Sequence, residues 1–458
     1  MPSSFRDPAG YVVCDNGVFK RVITPRGRAD YELYVSSGLH RNLAGRGLVL
    51  EHEEEGTDLS NREPGTYKAI RPEQLPFISY PYEWSFDELK DAALLTLEVQ
   101  ETALGHGLSL KDASAFNVQF RGARAVFIDL LSFERDRGGP WIAYEQFCRH
   151  FLGPLLLMQY GPAELNRCTM TDLAGLRLDT IAGLLPARSY LDPDALIHIH
   201  FQALMQRKKG GGRGPWNQPG QPNQVKRTLV RSLRAAVERL RPWKHRSRRS
   251  GDCEPQGHWI PEAEEFTAAA VRSLVRRLRP GLALDIGANT GKYTNQALDS
   301  GGYWVAADPD PVRVNRLYLE ARKAGSGRLL PLVVDILNPS PGVGFDLRER
   351  ASFAERARVD LVMLLGALHH LRIGGQVPLT RIAAFLAKLS GCLVVEFVPK
   401  ADPMAAVLLA GREDSFEDWT LDGLLEAFGR YFRLEQAARV PGTERTLCVF
   451  KRHRAPAG

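Results

Sequence analysis

Two rhythms of apolar and polar positions divide the chain. From about Trp259 onward, apolar runs of five to seven residues alternate with stretches of helical period. Leu282–Ile286, Tyr303–Ala307, Leu329–Val334, Asp360–Leu365 and Cys392–Val398 read as buried strands. Between and before them, Glu262–Leu278, Pro311–Lys323 and Gln376–Leu389 read as helices; in the first, Phe266, Ala270, Leu274, Val275 and Leu278 share one face. Strands alternating with helices predict a parallel sheet covered on both faces. Tyr431–Ala437 and Thr446–Lys451 predict a closing hairpin.

The first 206 residues follow no such alternation. Tyr11–Ile23 predicts a hairpin turning at Asp15-Asn16-Gly17. Ala29–Arg46 reads as a helix, and Gly47–Glu51, Tyr67–Ile70 and Phe77–Tyr80 as short strands. Pro72, Pro76 and Pro81 keep those strands short. Ser85, with Glu88 three residues on, forms a capping box that opens a helix carrying Leu89, Ala92, Ala93 and Leu97. Pro140–Met158 is a strongly apolar helical stretch of core character. His198 and His200 alternate with apolar residues, with no third ligand at a convincing spacing.

Composition adds limits. A chain of 458 residues, 44% hydrophobic and 25% charged, has room for two or three globular cores. No apolar run reaches about 18 residues, and the N-terminus lacks an apolar signal core, so a cytoplasmic protein without a membrane span is expected. The six cysteines show no C-x-x-C pair, which speaks against a zinc or redox motif. The net charge of +7 is local: residues 207–250 hold 14 Lys or Arg against the single acid Glu238, and the remainder is net acidic. The chain thus reads as three parts: 1–206, a basic Gly/Pro-rich connector at 207–257, and 258–458. Within the connector, Val225, Leu229, Val230, Leu233, Val237 and Leu240 mark an amphipathic helix. It suits either an anionic partner or docking on a neighbouring domain, and docking is favoured.

Candidate chemistry concentrates in Leu282-Ala-Leu-Asp-Ile-Gly-Ala-Asn-Thr-Gly-Lys292, a strand running through a glycine turn into a helix. Open α/β sheets bind ligands at such strand ends. It is not the G-x-G-x-x-G dinucleotide fingerprint: Asn289 replaces the middle glycine and Asp285 precedes the first. An acid there repels a pyrophosphate and suits a cationic ligand. The stretch D-I-G-A-N-T-G resembles the first motif of class I S-adenosylmethionine-dependent methyltransferases. The resemblance covers roughly the last 190 residues and implies a Rossmann-like seven-stranded sheet. It implies that Asp285, Gly287, Ala288, Asn289, Gly291 and Gly366 border the cofactor, that Asp308 holds the ribose, and that Asp335 and Ile336 meet the adenine. His369 and His370, just past the fourth strand, fall where the reacting group lies; either could take a substrate proton. Glu396, ending the fifth strand, is an alternative polar site residue. The acceptor is expected to be a small molecule.

The N-terminal part carries a second, weaker resemblance. Asp112 and Asn117 stand as D-x-x-x-x-N, and Asp129 ends a short apolar strand. The pattern resembles the catalytic loop and metal-binding acid of protein-kinase-like folds, and implies an α+β domain with Asp112 as base and Asn117 and Asp129 as ligands of Mg-ATP. The usual clamp is degenerate: no Gly-rich loop precedes it, Lys20 and Lys68 are weak substitutes for the nucleotide lysine, and Leu130-Leu131 stands in place of Phe-Gly. The expected role is therefore substrate or partner binding, with phosphotransfer or a non-enzymatic scaffold as alternatives. The tandem is similar to bacterial nodulation-related methyltransferases.

Overall fold

The computed structural model describes residues 6–15, 17–55, 65–208, 223–243, 260–410 and 415–453. The chain divides into two compact units, one of Met1–Lys244 with Gly342–Arg350, the other of His245–Pro341 with Ala351–Gly458. Most of the Gly/Pro-rich connector, residue Asn16 of the predicted turn and Cys253 lie outside the described residues.

The first unit opens with β1 (Gly10–Asp15) and β2 (Val18–Ile23), the predicted hairpin. With β3 (His52–Glu55) and β4 (Lys68–Pro72) they form an antiparallel sheet ordered β1-β2-β4-β3. Three expectations give way here. The helix read over 29–46 is two, α1 (Arg28–Ser36) and α2 (Leu39–Gly45), because Gly38 turns the chain with φ of +78°. The strand read at Gly47–Glu51 is reduced to a bridge from Val49 to Phe127, and β3 begins just after it, at His52. Phe77–Tyr80 is not a strand: Pro76 and Pro81 interrupt the ladder, and the Gln119 side chain instead accepts the Ser79 N–H at 2.9 Å.

Helix α3 (Phe86–Gly105) starts at the predicted box, with Glu88 accepting the backbone N–H and the hydroxyl of Ser85, each at 2.7 Å. Two short pairs follow, β5 (Leu108–Leu110) with β8 (Phe133–Arg135) and β6 (Val118–Arg121) with β7 (Arg124–Phe127). His198 and His200 are buried and hydrogen-bonded, to Tyr144 Oη and Ser189 Oγ, both at 2.8 Å.

The connector's helix, Asn223–Arg239, belongs to this unit rather than to a linker. It packs on α3 and buries Val230, Leu233, Ala236 and Val237. Lys226 Nζ meets Asp136 at 2.6 Å with both side chains nearly sealed, and Arg231 meets Glu101 at 3.0 Å. Apolar burial and paired arginines account for the amphipathic pattern without an outside partner.

The second unit is the predicted sheet. Its strands are β9 (Leu282–Ile286), β10 (Tyr303–Asp308), β11 (Leu329–Val333), β12 (Leu361–Leu364), β13 (Cys392–Phe397), β14 (Phe432–Arg439) and β15 (Thr446–Arg452), in the order β11-β10-β9-β12-β13-β15-β14. Only β15 runs opposite to the other six strands. This order, with its reversed final hairpin, gives the seven-stranded sheet that the resemblance implies. Helices Pro261–Leu278, Pro311–Lys323 and Leu379–Leu389 lie where the periodicity puts them, the last starting at Leu379 because Pro378 caps it. The switch in connection between β9 and β12 leaves a crevice above the strand ends, where such sheets bind ligands. No helix among the described residues is long and apolar enough to cross a membrane.

Candidate functional site

A cavity of about 1430 Å³ opens over the carboxyl ends of β9 to β13. Its lining includes Asp285, Gly287, Ala288, Asn289, Asp308, Asp335, Ile336, Gly366, His369, His370 and Glu396, so nearly all the residues singled out in this half meet at one place. Gly291 does not line it; it caps the helix Lys292–Leu298 with φ of +76°.

Each group is set by its strand. Asp285 is the penultimate residue of β9, level with Ala306 on β10 and Met363 on β12. Thr294 Oγ1 donates to its carboxylate. Burial, helped by the charge of Asp308, pushes its pKa up to about 7. Gly287 turns the chain with φ of +78°, and a Cβ there would stand 2.7 Å from the Ala367 Cβ. The absent side chain keeps the backbone open to the cavity. Asp308 ends β10; its two oxygens accept the N–H groups of Asn289 and Asp310, each at 2.9 Å. Burial raises its pKa and those two N–H bonds oppose the rise. Asp335 follows β11 and accepts the Leu337 N–H at 2.9 Å, which shapes the turn that presents Ile336.

The histidines differ. His370 is half-buried, whereas His369 is 1% exposed and neither of its ring nitrogens has a hydrogen-bond partner. Burial first, then the neighbouring His370 and Arg445, pushes the His369 pKa down to about 3, so the ring stays neutral. Glu396 is also buried, with its pKa raised chiefly by burial. Sequence reading missed Arg445 and Asp402. Arg445, just before β15, donates to both carboxylate oxygens of Asp402 at 2.7 and 3.1 Å, with Glu396 3.7 Å away. Neither residue lies in a motif; only the hairpin's return to β13 brings them together.

The first unit gathers its own trio. Asp112 follows β5 and accepts the Ser114 N–H at 2.9 Å. Asn117 Nδ2 donates to Ser132 Oγ at 3.1 Å, and Ser132 Oγ donates to Asp129. Burial, then repulsion from Asp129, raises the Asp112 pKa. The unpredicted member is Arg21 on β2, whose guanidinium pairs directly with the Asp129 carboxylate. Lys20 pairs with Glu55 at 3.0 Å and Lys68 with Glu54 at 2.7 Å. Among the described residues, no three His, Cys, Asp or Glu side chains are grouped to hold a metal.

No family model matches the sequence. Two solved structures overlap parts of it. The N-methyltransferase NodS from Bradyrhizobium japonicum WM9 is 14% identical, covering 42% of this chain and 98% of its own with a TM-score of 0.32. Magnesium protoporphyrin IX methyltransferase from Synechocystis PCC 6803 is also 14% identical, covering 61% and 99% with a TM-score of 0.30. The nodulation protein NoeA of Rhizobium meliloti (strain 1021) is similar end to end, 32% identical over 464 residues that span 99% of this chain and 96% of its own. On that identity along both full lengths, the chain belongs to the NoeA family.

Proposed function

We propose that the second unit is an S-adenosylmethionine-dependent methyltransferase acting on a small-molecule acceptor, and that the first unit binds substrate or a partner. One observation carries this reading: three acids and a glycine turn, from three consecutive strands, border a single cavity. The residues suit the cofactor. Asp308 has carboxylate lone pairs for ribose hydroxyls, Asp335 and Ile336 offer an acid and an apolar surface for adenine, and the bare backbone at Gly287 admits close approach. Asp285 lies where a cation would be held. Bound there, the cofactor would supply an electrophilic methyl group. The chain's own contribution is then orientation and exclusion of water. A ring as acidic as His369 is a weak base near neutral pH, so its role is to accept a hydrogen bond and aim the acceptor. His370, half-buried, is the better placed of the two to carry a proton.

Calorimetry with S-adenosylhomocysteine on the full chain tests the reading, together with profiling of a cell extract for label from S-adenosylmethionine, wild type against Gly287→Arg. Binding and label that vanish in the variant are expected; no binding by the wild type would overturn it.

A second reading, phosphotransfer from Mg-ATP with Asp112 as base and Asn117 and Asp129 as ligands, draws on the convergence of that trio. Arg21 argues for the binding role instead, because its guanidinium already neutralises the carboxylate a metal would need. Thermal-shift measurements with ATP and Mg²⁺ separate the two. No shift is expected; a magnesium-dependent shift lost in Asp129→Ala would establish the phosphotransfer site.

A further inference from the structure

The cavity is larger than one cofactor needs. Small-molecule sites commonly enclose about 300–1,000 Å³, against about 1430 Å³ here. All the residues read for the cofactor except Gly366, which follows β12, come from β9, β10 and β11 and the turns that follow them. The other side of the sheet, past β12 and β13, contributes a different wall: His369, Glu396, Asp402 and Arg445. Of the residues read for the cofactor, Gly366 meets this wall, through a backbone hydrogen bond to Glu396.

Two features make it a built site. First, His369 is sealed from solvent yet unpartnered at both nitrogens. A buried polar group left unmet costs about 1–3 kcal/mol, so such a ring facing a cavity is matched to a ligand that supplies the missing hydrogen bond. Secondly, the charges are unequally spent. Each of the four Lys and Arg side chains among the described residues of the lining already has an acid: Lys292 with Glu264, Arg313 with Asp310, Arg439 with Glu444 and Arg445 with Asp402. Arg445 makes its close contacts with Asp402 and leaves Glu396 at 3.7 Å, so this wall holds two carboxylates for one guanidinium. Among the described residues, a carboxylate or phosphate entering here finds no uncommitted cation and lies against Glu396, whose ionised form repels it.

We propose that this wall is the acceptor subsite, and that it selects a compound presenting O–H or N–H and no negative charge, with His369 accepting a hydrogen bond from the group to be methylated and Glu396 excluding acids. The proposal rests on the methyltransferase reading above and assigns its substrate class.

The test uses the full chain labelled with ¹⁵N at histidine and saturated with S-adenosylhomocysteine. Calorimetry of that first step reports on the cofactor reading alone; absence of binding there removes that reading and this one with it. Glycerol, ethanolamine, acetate and inorganic phosphate are then titrated at constant ionic strength while the His369 ring signals, identified by their loss in His369→Gln, are followed. Glycerol or ethanolamine is expected to shift them and the two anions are not. Glu396→Gln is expected to admit acetate with at least about tenfold tighter apparent binding; should that variant not fold by thermal melt, the wild-type probe order decides. Anions that move His369 as readily as glycerol, or bound S-adenosylhomocysteine with no probe reaching His369, would overturn the assignment.

Discussion

The two units hold similar clusters of acids in opposite states. In the second, Asp285, Asp308, Asp335 and Glu396 face a large cavity, and only Glu396 has a basic side chain within 4 Å, one already committed to Asp402. In the first, Asp129 is closed off by Arg21, and Asn117 and Ser132 complete an internal chain of hydrogen bonds. The difference teaches that residue type and spacing do not make a ligand site. What counts is whether the charges are already balanced within the chain. A carboxylate still awaiting its counter-charge next to empty space can select a cation; one holding an arginine has become part of the framework.

Substitutions can break this contrast. The largest effect is expected from Gly287→Val, which strains a backbone at φ of +78° and drives a side chain into Ala367. Calorimetry should show no heat with S-adenosylhomocysteine at any concentration that saturates the wild type; retained binding would mean the cradle lies elsewhere. Next comes Arg21→Ala. It strands the mostly buried Asp129, and urea unfolding of the first unit should lose about 3 kcal/mol. A change below about 0.5 kcal/mol would show that the pair is dispensable and Asp129 free to serve a ligand.

Asp308→Ala is smaller, weakening S-adenosylhomocysteine about 10- to 100-fold in the same calorimeter by removing a charged hydrogen-bond acceptor. An unchanged Kd would take the ribose role from Asp308. The smallest effect concerns Asp285. Its folded pKa is raised to about 7, so its contribution to stability is full below about pH 4, declines as pH climbs and is gone once pH passes about 7. Asp285→Asn has no such loss. The ligand-free variant should melt well above wild type at pH 8 and level with it near pH 4. A gap that does not change with pH would mean the carboxyl is not held protonated.

How legible these features were depended on how far apart their residues stand. The sheet of the second unit was readable because each strand is a short apolar run and each helix a 3.6-residue period, so local pattern and buried face agree. The cofactor acids were readable because each lies at or just past the end of its own strand, and strand ends converge in a parallel sheet. The helix Asn223–Arg239 was readable as amphipathic but not as part of the first unit, since the surface it covers, α3, lies more than a hundred residues earlier. The strand expected at Phe77–Tyr80 failed for a related reason: Gln119, forty residues on, takes the hydrogen bond that a ladder would have made.

Local sequence thus decided the elements, their order and the chemistry parked at the end of each β9-to-β13 strand, because those are properties of neighbours along the chain. Folding alone decided the charge state of the two acid clusters. Arg21 reaches Asp129 across 108 residues, Arg445 reaches Asp402 across 43, and His369 loses its partners only once the walls around it close. Electrostatic balance and desolvation depend on separation in space, which the linear order of residues does not carry.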